Sequence, residues 1–98
     1  MQLVIKWNRN ALNQLIKVVE YIREDSVQNA EKIQNEMLSE ITRLATHPEK
    51  YPPDKYKLNN DGSFKAFELH RYRVSYRLCK NEVRIIRIRH IKRNPKKY

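Results

Sequence analysis

One cysteine, one glycine and one tryptophan in 98 residues leave little room for several kinds of chemistry. A single thiol, Cys79, closes no disulfide within the chain and has no second Cys or His at ligand spacing. A disulfide scaffold and a zinc finger are therefore both excluded. The lone glycine rules out the glycine-rich phosphate cradles, which need several, and no GxSxG nucleophile turn is present. Long apolar runs are missing too. Nothing approaches the ~20 residues that span a bilayer, and the opening MQLVIKWNRN lacks the apolar stretch of a secretory signal. The expectation is a cytoplasmic protein with no metal, no cofactor and no membrane segment.

Acidic residues are also scarce. Asp and Glu number 11 against 21 Lys and Arg, for a net charge of +10 and a pI near 10.0. Self-repulsion of that size disfavours a compact chain and favours an anionic partner: nucleic acid, an acidic protein or an anionic surface. The length suits one domain, residues 1–98, with one modest core.

What is present is well patterned. QLVIK, residues 2–6, reads as a short strand. Leu12, Leu15, Ile16, Val19 and Ile22 then recur every three or four residues, predicting a helix over about 9–24 with Asn8 or Asn10 placed to cap it. Asp25 or Ser26 can cap a second helix, whose stripe is Ala30, Ile33, Met37, Ile41, Leu44 and Ala45. A link this short makes residues 9–47 an antiparallel helical hairpin. HPEKYPPDKYKLNNDGSF follows, holding three of the four prolines and the glycine, so residues 48–63 read as a loop. Three strands complete the chain as a sheet over 64–91: about 64–69, 72–78 and 82–89. Lys80-Asn81 makes a tight turn between the last two. The fold class is α+β in two layers, order β-α-α-β-β-β, with the hairpin packed on a small, mainly antiparallel sheet.

The strands carry an unusual load. In HRYRVSYRLCKNEVRIIRIRHIKR, Tyr72, Val74, Tyr76 and Leu78 alternate with Arg71, Arg73, Ser75 and Arg77, so one face is apolar and the other a plank of guanidinium groups. Val83 and Ile85 fall out of phase with Ile86 and Ile88, which means either a bulge near Ile85-Ile86 or a strand partly covered on both faces. With Ile86 and Ile88 facing the core, Arg87 and Arg89 join the plank. The open basic face is then the candidate site.

These residues in this order resemble the RelE/ParE superfamily, the toxin halves of bacterial type II toxin-antitoxin pairs. The resemblance rests on Trp7 and LIKVVEYI, on ITRLATHPEKY, on FELHRYRVSYRL and on VRIIRIRHIKRNPKKY, and it covers nearly the whole chain. It implies a growth-inhibiting toxin held silent by a small acidic antitoxin that folds on the hairpin and the basic face. RelE-like members cut mRNA on the ribosome. ParE-like members inhibit DNA gyrase and cut nothing.

For the ribonuclease, matching positions put Arg71, Arg73, Glu68, Arg89, His90 and Tyr98 in the catalytic set. Arginines stabilise the phosphate charge, while Glu68, His90 or Tyr98 moves the proton. Arg77, Arg87, Arg93, Lys96 and Lys97 would hold nucleic acid. Each has a plainer reading: Glu68 as a salt-bridge partner, His90 as a core or supporting histidine, Lys96–Tyr98 as a frayed tail, and the arginines as an antitoxin dock. The basic sheet favours the ribonuclease, which this reading ranks first, and the long helices favour the ParE branch. A non-catalytic nucleic-acid-binding module ranks third, because the strand aromatics lie on the core side.

Overall fold

A computed structural model describes residues 2–92 and 96–98. The order is β1 (Val4–Trp7), α1 (Arg9–Asp25), α2 (Val27–Arg43), β2 (Phe64–Leu69), β3 (Tyr72–Leu78) and β4 (Glu82–His90). The sheet runs β1-β4-β3-β2. β2, β3 and β4 pair antiparallel as successive hairpins, while β1 runs parallel to β4. The crossover from β1 to the rest of the sheet contains both helices, as a parallel pairing requires.

Both helices start at side-chain caps. Asn8 Oδ1 accepts from the Ala11 N–H at 2.7 Å, and Ser26 Oγ accepts from the Asn29 N–H at 3.0 Å. Ser26 is also where α1 stops, so one residue forms the whole corner of the hairpin.

The core lies between the hairpin and one sheet face. Ala11, Leu15 and Val19 of α1 and Ala30, Ile33, Met37 and Ile41 of α2 pack with Phe67, Tyr72, Val74, Tyr76, Val83, Ile85 and Ile88. The apolar stripe of α1 is wider than the sheet can cover. Leu12 and Ile16 remain 44% and 47% exposed, while Ala11 is fully buried in their place.

The bulge lies at the expected Ile-Ile pair. Tyr76 pairs with Ile85 and Ser75 with Arg87, leaving Ile86 as the extra residue. That one residue resets the alternation, so Val83, Ile85 and Ile88 all face the helices and Arg87 and Arg89 face away. Beyond the end of β1, the Gln14 side chain of α1 accepts the Ile88 N–H at 2.7 Å, satisfying a backbone donor on β4.

Two expectations need correction. Arg71 is not on the arginine plank. It and His70 form a two-residue turn between β2 and β3, both at positive φ (69° and 51°), and Arg71 is exposed there. Nor is the basic face fully open. Residues from the 48–63 loop fold back along β2, where Asp54 N–H donates to Phe64 O at 2.8 Å and Pro53 bridges to Lys65. Tyr51 anchors the start of this loop, stacking on Phe67 at 4.9 Å and bonding Glu40 of α2. Gly62, at φ +97°, makes the turn into β2.

Candidate functional site on the basic sheet face

Register assembles the outer face in rows. Glu68, Arg73 and Arg89 lie side by side across β2, β3 and β4. Ala66, Ser75 and Arg87 form the next row, and Phe64, Arg77 and Arg84 the third, with Lys6 beyond Arg84 on β1. Glu68 therefore shares a face with the arginines, which strand alternation alone left open.

Arg73 is the hub. Its guanidinium bonds Asp54 Oδ1 at 3.0 Å and Glu68 Oε2 at 3.0 Å, and it lies 4.9 Å from the Tyr56 ring centroid. The Asp54 side chain is completely buried and that of Arg73 is 13% exposed. Burial alone would raise the Asp54 carboxyl. Hydrogen bonds from the Tyr98 hydroxyl, the Tyr56 N–H and Arg73 outweigh it and hold the group below its usual range.

Tyr98 is a docked residue. Its hydroxyl donates to Asp54 Oδ2 at 2.6 Å, its N–H to Tyr56 O at 2.9 Å, and its carbonyl accepts from the Leu58 N–H at 2.6 Å. Arg87 stacks 3.8 Å from its ring centroid and donates to Lys96 O at 2.9 Å. Burial, then the bond to Asp54, pushes the Tyr98 hydroxyl up to about 12. The frayed-tail reading of Tyr98 is therefore corrected: aromatic contact and backbone pairing hold it. Lys96 and Lys97 are exposed, and Arg93 lies outside the described residues.

The remaining candidates scatter. His90 is in register with Tyr72, edge-on to that ring at 5.1 Å, its Nδ1 accepts the Lys92 N–H at 3.0 Å, and it also contributes to the wall of a small cavity with Glu68, Arg73, Arg87 and Arg89. Arg77 stacks on Phe64 and donates to Ser63 Oγ at 3.2 Å. Arg89 is half-buried, with no ion-pair partner among the described residues. Sequence reasoning missed Asp54, the residue that organises this face. Its signal was slight, a single acid in the proline-rich YPPDKY. Among the described residues, no group of three or more His, Cys, Asp or Glu side chains could hold a metal ion, and no helix is long and apolar enough to cross a membrane.

A second feature lies on the helical layer. Trp7, Leu12, Leu15, Ile16, Val19 and Leu38 line an open groove of about 610 Å³, with Glu20, Arg23 and Gln34 also contributing to its wall. It holds the apolar surplus of α1 that the sheet leaves uncovered.

The fold is similar to a chain of the chromosomal ParDE toxin-antitoxin system from P. aeruginosa. The TM-score is 0.72 at 16% identity, covering 93% of this chain and 98% of that one. It is similar to a mutant of the E. coli toxin RelE in the free state, with TM-score 0.65 at 14% identity, covering 96% and 88%. The RelBE2 toxin-antitoxin complex from Mycobacterium tuberculosis gives a TM-score of 0.56 at 18% identity, covering 92% of each chain. No functionally curated protein matches the sequence. The model of the ParE toxin of type II toxin-antitoxin systems, parDE, matches residues 5–95. With nearly its whole length accounted for, the chain belongs to the ParE toxin family of type II toxin-antitoxin systems.

Proposed function

We propose that this toxin stops growth by binding DNA gyrase, without cutting RNA. One observation carries the reading: the groups that a ribonuclease would use to move protons are each engaged in contacts within the chain. The Tyr98 hydroxyl is committed to Asp54 and pushed up to about 12, far from neutral pH. Glu68 is ion-paired to Arg73. His90 packs edge-on against Tyr72 and its Nδ1 accepts the Lys92 N–H, at the edge of the outer-face cavity whose wall it joins. The cations that remain can attract and hold an anion. As arginines they stay protonated at neutral pH and cannot serve as general acid or base.

The ribonuclease, ranked first from sequence, becomes the second reading. It keeps one specific support, the meeting of Arg73, Arg87, Arg89, Glu68 and His90 around one small cavity. Two 17-residue helices with an apolar groove add support to the binding reading. The antitoxin expected of a type II pair would seat apolar residues of a short acidic segment in that groove, in the helix-in-groove manner. Its acidic residues would then reach Arg23 and the sheet cations. The cytoplasm, where gyrase and ribosomes are found, is the expected location.

The test uses cells induced to express the chain without its antitoxin. The reading expects mRNA 5′ ends unchanged and plasmid supercoiling altered. New 5′ ends in translated frames, lost in Arg73→Ala, would replace it with the ribonuclease.

A further inference from the structure

The turn between β2 and β3 is made of residues ill-suited to its shape. Leu69 pairs with Tyr72, so His70 and Arg71 alone span the gap, both at positive φ. A two-residue hairpin turn of this kind favours Asn-Gly, Asp-Gly or Gly-Gly, because a Cβ crowds the backbone in the left-handed region. His70 has a compensation: its Nε2 meets a Glu36 carboxylate oxygen and ties the turn to α2. Arg71 has none. Its side chain is exposed and makes no hydrogen bond, ion pair or ring contact among the described residues. Its carbonyl accepts the Ile91 N–H at 2.8 Å, but a glycine would supply the same carbonyl. The arginine thus holds a disfavoured conformation with no return inside the chain. Strained residues of this kind cluster where a side chain meets a ligand or a partner.

The surroundings narrow the kind of partner. Arg71 is not part of the arginine-lined cavity wall. Two half-exposed carboxylates lie close to it in the fold, Glu36 on His70 and Glu68 on Arg73. They repel a polyanion such as a nucleic-acid backbone more than a single carboxylate on a protein surface. Ile91, 40% exposed, lies opposite Arg71 at the end of the β3–β4 ladder and puts an apolar side chain next to it in the fold. Arginine beside apolar surface is a common anchor of protein–protein contacts. The apolar groove is elsewhere. Its wall includes Trp7 of β1, at the opposite edge of the sheet from β2. A segment seated there is not seated on the turn.

We propose that the β2–β3 turn is a contact point for the toxin's protein target, with Arg71 engaging a carboxylate side chain there. The inference rests on the reading that the toxin acts by binding a protein. It adds which part of the surface makes the contact and the chemistry of the group that receives it. The guanidinium fork suits a carboxylate bidentately, and the His70–Glu36 contact fixes the turn that presents it.

The experiment compares the full chain with its Arg71→Gly and Arg71→Lys variants, because stability and activity should move in opposite directions. Glycine relieves the turn, so Arg71→Gly should raise the folding constant about fivefold in urea unfolding. The same variant should need about tenfold more protein to halve gyrase supercoiling, and it should arrest growth more weakly. Arg71→Lys should lose less activity and gain no stability. Unchanged activity in Arg71→Gly would overturn the proposal. So would a loss of activity accompanied by a loss of stability, which would make Arg71 a structural residue. Two further measurements name other partners: capture of co-expressed antitoxin and binding of a short DNA duplex. A loss in either as large as the loss of activity would assign Arg71 to that partner and overturn the proposal. A wild type that arrests growth but leaves gyrase active would sink the gyrase reading alone. The growth comparison between the wild type and Arg71→Gly would still decide the role of Arg71.

Discussion

The two faces of the sheet are held by different physics. On the helix side, Val74, Tyr76, Val83 and Ile85 are fully buried among apolar side chains, and the Tyr76 hydroxyl reaches the Pro48 carbonyl at 3.0 Å. On the outer side, the cover consists of loop residues around Asp54 and the docked Tyr98, fastened by ion pairs and hydrogen bonds to Arg73 and Arg87. The first face is stabilised mainly by area removed from water, which needs no charge to stay ionised. The second depends on charges that must stay ionised and paired. The helical side is therefore the scaffold, and the outer side is the surface that solution conditions and ligands can alter.

The largest effect should come from unbalancing the outer face. Arg73→Met leaves the Asp54 carboxylate buried without its cation, at an expected cost of about 3–5 kcal/mol in urea unfolding. Adding Asp54→Leu to it should recover most of that loss. Leu15→Ala on the helical side should cost about 2–5 kcal/mol, and no second substitution on the outer face should recover it. If both double variants recovered equally, the contrast between the two faces would be lost.

Acid should separate the faces further. Asp54 ionises more readily folded than unfolded. The stability it contributes is therefore complete above its ordinary value of 3.8 and is lost as the pH falls through its lower folded value. Tyr98 behaves in the opposite sense, with a folded value of about 12 against an ordinary 10.0. Its contribution is present below pH 10.0 and lost as the pH rises toward 12. Unfolding measured against pH should show both losses in the wild type, the acid loss reduced in Asp54→Asn, and the alkaline loss reduced in Tyr98→Phe, with the remainder coming from the buried Tyr76. The smallest stability effect should come from Ile16→Asp in the exposed groove, within about 0.5 kcal/mol. That variant should nonetheless abolish antitoxin capture in a pull-down from co-expressing cells.

The same contrast sets how much could be read from sequence. The helices, their cap candidates and the chain order of the elements were legible because apolar periodicity and Asn or Ser caps are local signals, whereas the place of β1 beside β4 was not. The Ile85-Ile86 doublet signalled either a bulge or cover on both faces, and the register decides for the bulge. Arg71 was misplaced because His70 and Arg71 enter positive φ without a glycine or asparagine to signal it. The Asp54–Arg73–Tyr98 cluster was not legible as a unit. Its members lie 19 and 44 positions from Asp54, and only the sheet register and the folded-back loop bring them together. Glu68 turned on a single residue of phase, which the pairing with Arg73 supplies.

The most direct test of the central claim is a supercoiling assay with purified DNA gyrase and purified toxin, run beside a toeprint of mRNA on translating ribosomes. The account predicts that supercoiling stops as the toxin is added and that the ribosome-bound mRNA stays whole. Unaffected gyrase together with mRNA cut in the ribosome would contradict it. That result would mean that the arginines of the outer face serve cleavage despite the sequestered Tyr98.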